Sequence, residues 1–219
     1  MDITKLFNVN TLIFTLWGYP MSYLEFFGTI FTAWSVYLAA KNKISTWPTS
    51  IIGIILYGFL FYQIQLYSDL FEQIYYFITA FWGWYLWKHS KRVVGKERPV
   101  TSSKTPQNLL GLGATVLLSF LLYLFMSRIH LILPSIFPTP ASFPFLDAFT
   151  TALSFVATIY LAKRKIENWY YWIVVDIIGV WLYFQKDVYF LSLLYFVFLI
   201  NALYGYKKWL SEVDEQQNV

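Results

Sequence analysis

KRKIENWYYWIVVD, residues 163 to 176, lies over KNKISTWPTSIIGI, residues 41 to 54, when the chain is displaced on itself by 122 positions. Lys41, Lys43, Ile44 and Trp47 then fall on Lys163, Lys165, Ile166 and Trp169. The register continues without a gap, with Gln63 on Gln185, Tyr67 on Tyr189, and AFWGWYLW at 80 to 87 on ALYGYKKW at 202 to 209. Upstream, Glu25 falls on Asp147. Aromatic-rich helices do not share charge, Trp and Gly in one ungapped register by composition alone, so the chain contains an internal repeat. Asp176 falls on Ile54. A carboxylate therefore stands inside an apolar run in one half only.

The 219 residues are 58% hydrophobic and 13% charged, with a mean hydropathy of +0.52. Soluble domains carry about 25% charged residues, so this composition belongs to a membrane protein. Apolar stretches bounded by charge, Pro or Gly predict seven spans at 22 to 40, 47 to 66, 70 to 87, 107 to 127, 142 to 162, 169 to 186 and 189 to 209. Each is long enough for a helix to cross a hydrocarbon core of about 30 Å. The strict ten-residue alternation of an outer-membrane barrel is missing. Residues 3 to 19 are only partly apolar, with Lys5, Asn8 and Asn10, and read as a short interfacial helix. MDITKLFNVN has no basic n-region or cleavage site, so no removal of a leader is expected.

Cysteine is absent, which excludes disulfides and thiolate metal sites. The net charge of +4 comes from residues at span ends rather than along one polar face, which speaks for membrane orientation and against nucleic acid. Lys41, Lys43, Lys88, Lys91, Arg92, Lys96, Arg98, Lys104, Lys163, Arg164, Lys165, Lys207 and Lys208 share one side; Lys5, Arg128 and Lys186 take the other. The positive-inside rule makes the first side cytoplasmic, with the N-terminus outside and the C-terminus inside.

Four crossings separate equivalent points of the repeat, so both copies have one orientation. The expected architecture is all-α: an interfacial helix at 1 to 20, a first triple-helix bundle at 21 to 88, a basic loop, linking helix and outer loop at 89 to 141, a second bundle at 142 to 210, and a cytoplasmic tail at 211 to 219. Repeats of this kind mark transporters, whose solute site lies between the halves near the bilayer midplane.

Trp169-x-x-Trp172, followed on the last span by Asn201-x-x-Tyr204-Gly205-x-x-x-Trp209, resembles the PnuC family of bacterial nicotinamide riboside transporters. The first half carries a weaker copy, Trp47-Pro48 with Ser50 in the second Trp place, and Thr79-x-x-Trp82-Gly83-x-x-x-Trp87 with Thr in the Asn place. The resemblance implies a fold like full-length SWEET sugar transporters and a home in the bacterial inner membrane. It also implies facilitated diffusion of a riboside that feeds NAD synthesis, with a cytoplasmic kinase trapping the solute. Similar proteins are associated with thiamine or other vitamins, so the solute stays open at this level.

A site for nicotinamide riboside calls for aromatic faces toward the cationic ring, amides for the ribose hydroxyls and a carboxylate. On the sixth span, helical spacing puts Trp169, Trp172, Asp176, Gly179 and Tyr183 on one face, and Ile178, Trp181 and Gln185 nearly opposite. Trp169, at the cytoplasmic end, reads as a belt anchor. Trp172, Asp176, Trp181 and Gln185 are binding candidates. Asn201 is the one strong amide in its span and, with Tyr204 a turn away, either lines the pathway or bonds a neighbouring helix. The third span offers Gln73, Tyr76 and Thr79 along one stripe. Glu25 and Asp147, at equal repeat positions, read as structural residues or an outer gate, or else as solvated helix starts.

His89 and His130 have no second ligand nearby in sequence, and no nucleophile with an ordered base or phosphate loop occurs, so neither metal nor cofactor is expected and the chain is not read as an enzyme. An intramembrane enzyme or sensor is the competing class. The first would need paired acids where only Asp176 is well placed, and the second a signalling domain longer than LSEVDEQQNV. Asp176 also leaves proton coupling open. The expected partners are the solute, the lipid bilayer and, through an aromatic outer face, a second copy of the chain.

Overall fold

The computed structural model describes residues 6–16, 18–64, 67–89, 99–135, 140, 143–185 and 189–217. Among these residues it is all-helical apart from one small hairpin and an isolated β-bridge. Seven helices have eighteen residues or more: α1 (Tyr23–Ala40), α2 (Thr46–Gln63), α3 (Tyr67–Lys88), α4 (Thr105–Met126), α6 (Pro144–Ala162), α7 (Asn168–Gln185) and α8 (Tyr189–Gln217); α5 (Ile129–Ile132) is a single turn. Their ranges overlap the seven stretches read as spans. Three, at Thr105–Met126, Pro144–Ala162 and Tyr189–Glu215, are long and apolar enough to cross a membrane by hydropathy alone. The others are rich in Tyr and Trp, which hydropathy scales treat as polar although both suit membrane interfaces.

Two expectations are corrected. The N-terminal interfacial helix is instead a hairpin, β1 (Leu12–Leu16) antiparallel to β2 (Tyr19–Ser22). Gly18 turns it with φ +83, a left-handed conformation that glycine adopts without a Cβ clash. The apolar run TLIFTL is too short to choose helix over strand by itself, and pairing with YPMS settles it. The residues read as a C-terminal tail continue α8 as far as Gln217. Lys5, Lys91, Arg92, Lys96, Arg98 and Lys186, used to orient the chain, lie outside the described residues.

The chain divides into two compact units, Met1–Ser90 and Lys91–Val219. In the first, α2 packs against α1 and α3. In the second, α7 packs against α6 and α8, and α4 lies along α6. Each unit thus places its middle helix, the one entered through the repeated basic turn, at the centre of a three-helix row.

Those turns share a backbone. α1 ends with Asn42 N–H bonded to Ala39 O at 2.8 Å and Lys43 N–H to Leu38 O at 3.0 Å; α6 ends with Arg164 N–H bonded to Leu161 O and Lys165 N–H to Tyr160 O, both at 2.9 Å. This is the Schellman closure, which satisfies helix-end carbonyls through one left-handed residue. Here that residue is not glycine but Asn42 (φ 54) and Arg164 (φ 53), at equivalent places of the repeat. The helix starts differ: Ser22 Oγ caps α1 by accepting from Glu25 N at 3.2 Å, whereas α6 begins at Pro144 without a side-chain cap.

Candidate functional site

The repeated Trp and Gly positions form one packing motif twice. Trp47, in the first turn of α2, covers Gly83 of α3 so closely that a Cβ there would collide with the indole. Its ring meets Trp87 edge-on, with centroids 5.4 Å apart at 89°. In the second unit Trp169 covers Gly205 in the same way and meets Trp209 at 5.4 Å and 84°. Trp169 is only 1% exposed and Trp209 fully buried, so the belt-anchor reading of Trp169 is corrected: the ring is core, fixing α7 to α8. Both indole N–H groups, of Trp47 and Trp169, are buried without a hydrogen-bond partner among the described residues, so packing rather than hydrogen bonding holds the rings.

Above this lock, α7 and α8 meet again where Gly179 admits the ring of Tyr195, itself stacked on Tyr183 at 5.2 Å and 25°. Asp176 sits between the two contacts. It is 4% exposed, on the packed face of α7 as the helical spacing indicates. Its carboxylate has no hydrogen-bond or ion-pair partner among the described residues. The register that sets Trp169 on Gly205 and Gly179 on Tyr195 brings Asp176 level with Phe198, one turn from Asn201. Asn201 is half-buried and gives its Nδ2 hydrogen to Val197 O of its own helix at 3.2 Å. Trp172 is half-buried and Tyr204 43% exposed.

The remaining candidates stand apart from this group. Trp181 is 48% exposed and meets Phe143 edge-on at 5.8 Å, and Gln185 is exposed at the far end of α7. The repeat equivalent of Gln185, Gln63, is engaged elsewhere: it donates to Phe7 O at 2.7 Å and accepts from Val9 N at 3.0 Å, pinning the N-terminal segment to α2. In the first unit Gln73 and Tyr76 are half-buried, and the buried Thr79 hydroxyl bonds the carbonyls of Tyr75 and Tyr76 at 2.8 and 3.1 Å. A shallow apolar groove of about 390 Å³, lined by Val180, Phe184, Tyr189, Ser192, Leu193 and Phe196, includes none of these candidates.

Sequence reasoning did not find the pair Tyr19 and Glu25. The Tyr19 hydroxyl donates to Glu25 Oε1 at 2.7 Å and ties β2 to α1. Partial burial first, and the Glu25 carboxylate second, hold the Tyr19 phenol above its usual range. Deeper on the same side, Thr29 and Tyr57 share a hydrogen bond of 2.7 Å. Glu25 thus has the structural role that its repeat position allowed, and the Ser22-x-x-Glu25 spacing of a helix start is a second sequence signal for it. No three His, Cys, Asp or Glu side chains stand close enough to hold a metal ion among the described residues.

The class defined by these features is a multi-pass, all-α membrane protein with an internal repeat and a carboxylate buried in one half. A family profile described as "Nicotinamide mononucleotide transporter" matches residues 22–211, and the chain belongs to that family. It is 30% identical over 216 residues to the nicotinamide riboside transporter PnuC of Escherichia coli (strain K12), covering 91% of this chain and 90% of the relative. It is 24% identical over 204 residues to the riboflavin/roseoflavin transporter RibM of Streptomyces davaonensis, covering 92% and 91%. A crystal structure of the vitamin B3 transporter PnuC is similar over 88% of this chain and 83% of its own, with a TM-score of 0.67 and 25% identity.

Proposed function

We propose that this chain takes up nicotinamide riboside by facilitated diffusion across the bacterial inner membrane, with a cytoplasmic kinase trapping the solute for NAD synthesis. It catalyses no reaction of its own. The family, the Escherichia coli relative and the vitamin B3 transporter structure support transport of this class of solute. Within that class the supporting observation is Asp176, a buried carboxylate inside an apolar helix, without a hydrogen-bond or ion-pair partner among the described residues. Such a group is costly in a membrane protein unless it faces a charge or a pathway, and the pyridinium ring of nicotinamide riboside is a cation. Trp172 and Tyr204 supply aromatic faces beside it, Asn201 an amide for ribose hydroxyls, and Trp181 with Gln185 a second station farther along α7. Within the first unit, Gln73, Tyr76 and Thr79 of α3 are the corresponding candidates for solute contact.

The topology that goes with this function is three spans, one linking span and three spans, with the two copies in one orientation, the N-terminus outside and the C-terminus inside. The helix boundaries and the equivalent turns support it. Because the chain has no cysteine, single cysteines can report sides cleanly. In intact cells an impermeant thiol reagent should label Arg128→Cys and spare Lys163→Cys; the opposite pattern overturns the topology.

The deciding experiment is a titration of the purified protein by intrinsic Trp fluorescence with nicotinamide riboside, nicotinamide, thiamine and riboflavin, followed by uptake into liposomes. Saturable binding and downhill uptake of nicotinamide riboside are expected, unchanged when a pH gradient is collapsed. The RibM relative favours one second reading, a flavin solute. Riboflavin binding more tightly than nicotinamide riboside, and insensitive to Asp176→Asn, would establish it.

A further inference from the structure

The α6–α7 turn does more than reverse the chain. The segment Val100–Ser103, just before α4, lies along it as a single parallel bridge between Thr101 and Lys165. Thr101 N–H donates to Arg164 O at 3.1 Å, and Ile166 N–H donates to Thr101 O at 3.2 Å. Side chains repeat the attachment. Lys165 Nζ donates to Thr101 Oγ1 at 3.0 Å and Ser102 O at 3.2 Å, while Glu167 Oε1 accepts from Ser102 Oγ at 2.8 Å and Ser103 N at 2.7 Å. The joint is buried on its inner side, with Val100 fully buried, Arg164 1% exposed, Ile166 4% and Glu167 6%, while Ser102 lies at the exposed edge.

α4 is seated on the same unit farther along. The Tyr160 hydroxyl donates to Gln107 O at 2.7 Å, and Gly111 leaves just enough room for the hydroxyls of Tyr160 and Tyr171. Tyr123 near the other end of α4 meets Phe145 edge-on at 6.0 Å. A helix that only carried the chain back across a bilayer would need none of these contacts. The α1–α2 turn has Ser45 and Thr46 where the second turn has Glu167 and Asn168, and Thr46 Oγ1 bonds Ser35 O at 2.8 Å within its own helical pair. The carboxylate that receives the strap thus belongs to one half of the repeat.

We propose that Val100–Ser103 is a permanent clamp, with Glu167 as its positioning residue, that makes α4 a fixed fourth helix of the second unit and holds the turn that starts Trp169 into its slot. The clamp stays closed throughout the working cycle, so α4, α6 and α7 move as one body. Its uptake consequence rests on the transporter reading; its structural consequence does not.

The bridge geometry brings Thr101 and Lys165 side by side, within the Cα spacing a disulfide tolerates, and no native cysteine competes. In membranes, the T101C/K165C pair should cross-link under mild oxidation, and oxidised and reduced protein should take up nicotinamide riboside at rates within about twofold, as expected for elements that do not separate. In a second measurement, spin labels at the exposed Leu110 of α4 and Ile177 of α7 should give one narrow distance distribution, unchanged by added solute. Glu167→Ala should broaden it, and Glu167→Gln, which keeps one acceptor for Ser102 and Ser103, should largely restore it. Absence of the cross-link, loss of uptake on oxidation with recovery on reduction, or an equally narrow distribution in Glu167→Ala each overturns the clamp. If no form moves any riboside, the transporter reading fails, while the cross-link and the distance distributions still judge the clamp.

Discussion

The two basic turns, Lys41 to Trp47 and Lys163 to Trp169, have one backbone and different duties. Both close a helix through a left-handed Asn42 or Arg164, and both deliver a Trp onto a glycine of the third helix in their unit. They part company in what else they hold. In the first turn Thr46 bonds Ser35 of the preceding helix; the second receives the strap through Glu167. Farther along, Ile54 of α2 is replaced by Asp176 in α7, and Tyr57, which leans on Gly28, by Gly179, which admits Tyr195. What repeats is the turn and the Trp-on-Gly lock; what differs is the polar groups and the ring contact one turn beyond them. A duplicated bundle keeps the contacts that build it and is free to change the groups that do something further.

The strongest way to break this comparison is to remove the shared lock. Trp47→Ala and Trp169→Ala each delete a buried indole and should cost about 3–5 kcal/mol. Thermal unfolding in detergent should show losses of similar size in both; a much smaller loss for either would mean that the two locks are not equivalent. The asymmetric carboxylate comes next. Asp176→Asn should weaken nicotinamide riboside binding about 10- to 100-fold, which is about 1.4–2.7 kcal/mol, with little change in melting temperature. The reciprocal Ile54→Asp should gain no binding, and unaltered affinity in Asp176→Asn removes the counter-charge role.

Adding a methyl group to the lock is a milder perturbation. Gly83→Ala and Gly205→Ala push a Cβ into an indole and should each destabilise by about 1–3 kcal/mol. A crystal structure or a melting curve showing either variant unperturbed would separate the two copies. The smallest effect concerns the Tyr19–Glu25 contact of the first unit. Tyr19→Phe should cost about 1 kcal/mol through loss of the Glu25 hydrogen bond. Because the folded phenol titrates above its usual range, this contribution is complete below about pH 10, the unfolded value, and is lost as pH rises through the folded value. Hydrogen exchange of the hairpin amides should follow that course in the wild type and lose it in Tyr19→Phe.

Much of the architecture was legible in the chain itself. Apolar runs pointed to the seven long helices, three of which are long and apolar enough to cross a membrane, because a helix that buries its backbone in lipid needs uninterrupted apolar residues whatever its neighbours do. The ungapped register pointed to Trp47, Gly83, Trp87 and their equivalents, because a repeat is a property of sequence. Their role was not legible: a Trp near a membrane surface looks alike as belt or core until the facing helix supplies a glycine. The hairpin was missed because a short apolar run takes its form from its pairing partner. The site was legible only in part. Helical spacing assigned Asp176 and Trp181 to opposite faces, whereas the engagement of Gln63 with Phe7 and Val9 depends on residues more than fifty positions away.

The sequence by itself therefore determined the long helices, the repeat, and the buried acid that one half has and the other lacks, since length, periodicity and composition act locally. Only the tertiary structure decided which aromatics are core, that the N-terminal residues pair as strands, and that the segment before α4 is strapped to the α6–α7 turn. Those outcomes rest on hydrogen bonds and ring contacts between residues far apart in the chain, whose free energy exists only once the helices have met.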